Sequence, residues 1–169
     1  MLRKFGIIAV LSLLAVAFAA VPALAVNPTN ITQSGGLHFV GTPTVTATKS
    51  GQTAFLTSNF EVAGAGTTAQ ATLSADAVAT VGCINRGSKN QEPSGLQETT
   101  TTVTGSEEFN TRQGRGRFDV DTNAVGVPST FECPPPMTET LVSTTFTNIT
   151  LTITSQTGSI TATFPDIDP

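Results

Sequence analysis

The chain has no tryptophan and no tyrosine. Its aromatic rings are phenylalanine alone. The tryptophan and tyrosine faces on which extracellular sugar binders usually stack their ligands, and which are enriched among interface anchors, are therefore missing. A single histidine, His38, and two cysteines, Cys83 and Cys133, complete the stock of residues best suited to nucleophilic or transition-metal chemistry. A histidine-based hydrolase would need His38 joined in space by a nucleophile and an orienting carboxylate. No nucleophile elbow, paired-cysteine motif or zinc-hydrolase signature accompanies it. Charge is also scarce, at 12% of residues against about one quarter in ordinary domains. Threonine and serine must do much of the work of wetting the surface. Beyond residue 25 no apolar run approaches the length of about 20 residues that a spanning helix needs.

What is present begins at the N-terminus. Arg3 and Lys4 precede an apolar run from Gly6 to Ala20, Pro22 interrupts any continuing helix, and Ala23-Leu24-Ala25 forms a small-x-small peptidase site. This is the pattern of a cleaved secretory signal over residues 1–25. It predicts a secreted, extracellular chain with no stable membrane anchor after cleavage, in a compartment where disulfides persist. Cleavage after Ala25 removes 25 of the 169 residues and two of the eight basic ones. The remaining 144 residues carry twelve acids against six bases, a formal charge of −6. That length supports one core burying roughly two-thirds of its unfolded surface. The acidic balance argues against a nucleic-acid partner, which would require a concentrated basic surface.

The clearest periodicity runs from Ala69 to Cys83. Ala69, Ala71, Leu73, Ala75, Ala77, Ala79, Val81 and Cys83 fill the odd positions, with Gln70, Thr72, Ser74, Asp76 and Thr80 between them. Period two means a strand with one buried face, and its small inward residues predict a close neighbour. Similar alternation places Leu37, Phe39, Val45 and Ala47 inward on one strand, and Leu56, Phe60 and Val62 inward on the next. Gln97–Phe109, Arg117–Asp121, Glu139–Ser155 and Ser159–Phe164 read as further strands. In the third of these Phe146 has the wrong parity for Ile149, Leu151 and Ile153, which predicts a bulge near Thr147-Asn148. About seven strands separated by turn signals predict an all-β fold, a single antiparallel β-sandwich of immunoglobulin-like or jelly-roll style. The expected organisation is a flexible N-terminal segment over 26–36, the sandwich domain over 37–164 and a C-terminal tail over 165–169.

Cys83 and Cys133, as the only cysteines of a chain bound for an oxidising compartment, are expected to form a structural disulfide. Its fifty-residue loop is worth about 4 kcal/mol on the chain-entropy account. Asp119, Asp121 and Asn123 space oxygen ligands like the start of a calcium loop. The EF-hand form then needs a glycine and a carboxylate where Ala124 and Thr130 stand. Alternating acids at the exit of an exposed strand account for the pattern without metal. Arg112, Arg115 and Arg117 cluster in a glycine-rich turn, where Glu107 and Glu108 on the preceding strand are the expected partners. Asn30-Ile31-Thr32 and Asn148-Ile149-Thr150 fit the glycosylation sequon, and Thr99–Thr102 is a run of four threonines.

The stretch Cys83-x-Asn85-x-Gly87-x-x-Asn90-x-x-Pro93, with Val103-x-Gly105-Ser106, Cys133-Pro134 and Phe146-Thr147-Asn148-Ile149-Thr150-Leu151, resembles small secreted proteins of actinobacteria and similar bacteria. The likeness covers roughly residues 79–153. It implies a secreted, disulfide-bonded β domain and brings no activity, cofactor or site residue with it.

The residues predict no catalytic, cofactor-binding or metal site. The leading expectation is a non-enzymatic structural or surface-associated protein of the cell envelope or matrix, whose exposed strand edges could support self-association. The alternative is a binding module, such as a protease inhibitor or ligand binder, using loops 84–95 and 123–136.

Overall fold

The computed structural model describes residues 24–85, 87 and 92–169. Most of the expected signal segment, residues 1–23, and positions 86 and 88–91 of the loop over 84–95 lie outside the described residues. Among the described residues every regular element is a strand: β1 (Ala25–Val26), β2 (Asn30–Gly35), β3 (His38–Phe39), β4 (Thr44–Ser50), β5 (Thr53–Ala63), β6 (Thr68–Ile84), β7 (Ser94–Asn110), β8 (Gly116–Asp121), β9 (Val125–Gly126), β10 (Thr138–Ser155) and β11 (Gly158–Thr163). No helix among them is long and apolar enough to cross a membrane.

Two antiparallel sheets pack as a β-sandwich. In the first, β5 is central: β4 and β3 lie along one side of it, β8 and β9 along the other, and β1 flanks β4. The second has the order β2-β11-β10-β6-β7. The alternation read from sequence sets the core. Val45, Leu56 and Val62 of the first sheet, with Leu37 just before β3, pack with Ala71, Leu73, Ala77, Leu151 and Ile153 of the second, and all are at most 1% exposed. The alanine face of β6 has the expected effect. Cα atoms of β6 come within 8 Å of β8 and β9, closer than the roughly 10 Å usual between stacked sheets.

β10 carries two extra residues relative to β6, one between Leu141 and Ser143 and one between Thr147 and Thr150. Each bulge reverses the parity of the strand. This is why Leu141, then Thr144 and Phe146, then Ile149, Leu151 and Ile153 all point inward. The second bulge is the one the sequence predicts, and Asn148 there has φ 52, a conformation asparagine tolerates better than most residues. At the first bulge the side chain of Lys49 donates to the carbonyls of Leu141 at 3.0 Å and Val142 at 2.9 Å.

Two expectations are corrected. Among the described residues the sandwich has eleven strands instead of about seven: the additional ones are β1, β2 and β9, and Gly41 with Pro43 separates β3 from β4. Residues 26–36 are not simply a flexible lead, because β2 pairs with β11 along its whole length. Its side chains are exposed on both faces, so it has no hydrophobic alternation from which to be read. The expected C-terminal tail, 165–169, packs onto the domain. Ile167 is 4% exposed and exchanges two hydrogen bonds with Phe146, at 2.9 and 3.0 Å, continuing the line of β11 past the bulge in β10.

Candidate functional site

β7 belongs to the second sheet and β8 to the first, joined by residues 111–115 with a two-residue turn, Gln113-Gly114, at the tip. Arg112 and Arg115 pair across it, with Gln113 at φ 54 and Gly114 at φ 75, as in a type I′ hairpin turn. Beneath this corner Phe60, Phe109 and Phe118 cluster, the last two stacked with ring centres 3.8 Å apart. The sheets pinch together just beyond. A Cβ built on Gly105 would stand 1.7 Å from the carbonyl oxygen of Asp121, so only glycine allows this approach. Asn123 then closes the edge of β7: its N–H donates to the carbonyl of Thr104 at 2.9 Å, and its Oδ1 accepts from the Thr104 amide at 2.6 Å.

From there β7 and the chain after β8 diverge. A groove of about 450 Å³ opens between Thr99–Thr101 and the segment Asn123–Pro128. Because Thr104 turns its amide and carbonyl away from β6, and alternate residues of a regular antiparallel ladder share that direction, Glu98, Thr100 and Thr102 do the same. The register with β6 is unbroken from Gln97 to Asn110. No hydrogen bond from other described residues reaches these outward backbone groups. At the other end Gly82 stands opposite both Gly95 and Leu96, a bulge with Gly95 at φ 63. The open strip is therefore Gln97–Val103, bounded by a bulge and a side-chain cap. Within it only Val103 is buried.

Other candidate residues lie apart from this edge or are engaged. Cys83 and Cys133 form the expected disulfide, with Cα atoms 5.7 Å apart, tying the end of β6 to the loop before β10. His38 is exposed, with Nδ1 3.0 Å from the carbonyl of Gly36. Asp121 accepts from Thr57 Oγ1 at 2.6 Å, and the Asn123 amide oxygen is occupied by Thr104. Among the described residues no three His, Cys, Asp or Glu side chains gather as a metal-holding group. The arginines do not pair with Glu107 and Glu108. Arg115 Nε lies 2.7 Å from Glu61 Oε1, and Arg117 lies 3.6 Å from the other oxygen. The reason is topological: the turn carries the chain out of the sheet that holds Glu107 and Glu108, and Arg117 lands opposite Glu61 on β5. The hydrogen bond from Arg115, assisted by both positive charges, holds the Glu61 carboxyl below its ordinary range.

Sequence reasoning also passed over Asp76. On the outer face of β6 it accepts from Asn148 Nδ2 at 2.9 Å and Thr102 Oγ1 at 3.0 Å, and these bonds lower its pKa. It joins three strands, β10, β6 and β7. A lone polar residue on a threonine-lined face gives no sequence signal of this. Of the two sequons, Asn30 lies on the exposed edge strand β2, and Asn148 is held by Asp76.

No family model, curated protein or solved structure matches this chain. Its own geometry therefore carries the functional reading.

Proposed function

We propose that the chain is a secreted, non-enzymatic structural β protein of the cell surface or its surrounding matrix. The observation that supports this best is the build of the second sheet. Three strands of 17 or 18 residues are stapled at one end by a disulfide and left with open strands at both edges. Such a sheet suits durability and lateral assembly outside the cell. Threonine on the outer faces, in place of charge, fits the same role. Ala25 pairs with Thr46 in β1, so processing after Ala25 would leave only the Val26 pair of that strand.

The test is fractionation of expressing cells, with N-terminal sequencing and thiol titration. The reading expects protein outside the cytoplasm, beginning at Val26 and without free thiols. Cytoplasmic protein that retains Met1 and reduced cysteines would overturn it. A binding module is the second reading, favoured by the groove because Asn123–Pro128 belongs to one of the two loops expected to bind. Saturable binding lost on shortening 123–128 would select it.

A further inference from the structure

The open strip of β7 has a symmetry that the fold itself does not use. Its seven residues, Gln97-Glu98-Thr99-Thr100-Thr101-Thr102-Val103, are centred on Thr100, and Thr100 is one of the three residues whose backbone groups face outward. We propose that this strip is a self-pairing edge, adding antiparallel to the same seven residues of a second copy about a two-fold axis at Thr100. The proposal rests on the structural reading above and names its partner.

Register decides the occupant. Centred on Thr100, the pairing sets Glu98 opposite Thr102, Gln97 opposite Val103, Thr99 opposite Thr101 and Thr100 opposite itself. Every outward amide and carbonyl of the strip then has a partner, with two main-chain hydrogen bonds at each of the three hydrogen-bonded pairs. No like charges stand opposite one another. Moving the centre to Glu98 would place two carboxylates face to face. Moving it to Thr99 would set Val103 against Gly95, inside the bulge. Of these centres, the one at Thr100 alone pairs the whole strip with itself, with no like charges opposed and the bulge left outside.

The surroundings fit the same occupant. Edge strands are normally guarded by charged side chains, above all lysine, by proline, or by a bulge, and within Gln97–Val103 the one such residue is Glu98, which this register sets opposite Thr102. The other guards stand at the two ends of the strip, as the Gly95 bulge and the Asn123 cap. The groove against Asn123–Pro128 gives room for the inward side chains of the added strand, Gln97, Thr99, Thr101 and Val103 of the second copy. A single strand pair buries less than the roughly 1,200–2,000 Å² of a stable interface. The product is a reversible, concentration-dependent dimer with a ten-stranded sheet.

Sedimentation equilibrium and amide hydrogen exchange on the oxidised protein test this. The parent should dimerise as concentration rises, and the amides of Glu98, Thr100 and Thr102 should gain protection with it. Thr99 and Thr101, bonded to β6, should be protected throughout, which also reports folding of each variant. Thr100→Lys and Thr100→Glu each place like charges opposite and should weaken dimerisation about five-fold. An equimolar mixture of the two should recover it. A monomer at all concentrations, a dimer indifferent to both substitutions, or protection of Glu98, Thr100 and Thr102 that is independent of concentration would each overturn the proposal; the last would mean that the strip is covered within one chain. A secreted monomer would refute the edge alone, whereas a cytoplasmic protein that pairs this way would refute only the secretion reading.

Discussion

Gly105 and Thr144 illustrate opposite uses of a single side chain. At Gly105 the absent Cβ is what allows β7 to touch Asp121, so Gly105→Ala must push the sheets apart at their corner. The expected loss is about 1–3 kcal/mol in chemical denaturation, the usual cost of overpacking. Thr144 carries an atom too many. It is 2% exposed and its hydroxyl has no hydrogen-bond partner among the described residues. Thr144→Val keeps the shape and removes the stranded group, and should stabilise the protein by about 1 kcal/mol in the same measurement. Neither residue's role shows in the sequence. Gly105 looks like a break in a threonine strand, and Thr144 becomes inward-facing only because a bulge precedes it.

The same limit governs what can be read at the scale of elements. Strands with one buried face were legible: the alternations of β4, β5 and β6 fall on the buried positions, and the misfit of Phe146 located a bulge. The open strip of β7, β2 and the Ile167 segment were hidden or misread for one reason. Their identity depends on backbone pairing and on which sheet a strand joins, and neither leaves a hydrophobic period. The Glu61 and Asp76 contacts are likewise products of pairing. Both carboxyls are held below their ordinary pKa by hydrogen bonds made only in the fold. A group depressed in this way stabilises the folded state above its unfolded pKa, and that contribution fades as pH falls through the lower folded value. Stability should therefore decline from about pH 4 downward, and the decline should be shallower in an Asp76→Asn, Glu61→Gln double variant. An acid limb unchanged in that variant would show that these two groups do not set it.

At the scale of the molecule the disulfide is the largest single constraint. Cys83 and Cys133 close a loop with a sequence separation of 50, and the double Ser variant should lose about 4 kcal/mol on the chain-entropy account. Thermal unfolding of the oxidised parent and the variant, side by side, measures it. The corner where β5, β7 and β8 meet has a consequence of another kind. A chain without tryptophan or tyrosine is nearly dark in the near ultraviolet, so what chiral signal remains there comes from its phenylalanines and its disulfide, the stacked rings of Phe109 and Phe118 among them. Near-ultraviolet circular dichroism of this protein should therefore change when that corner opens, even while the backbone signal still reads as folded.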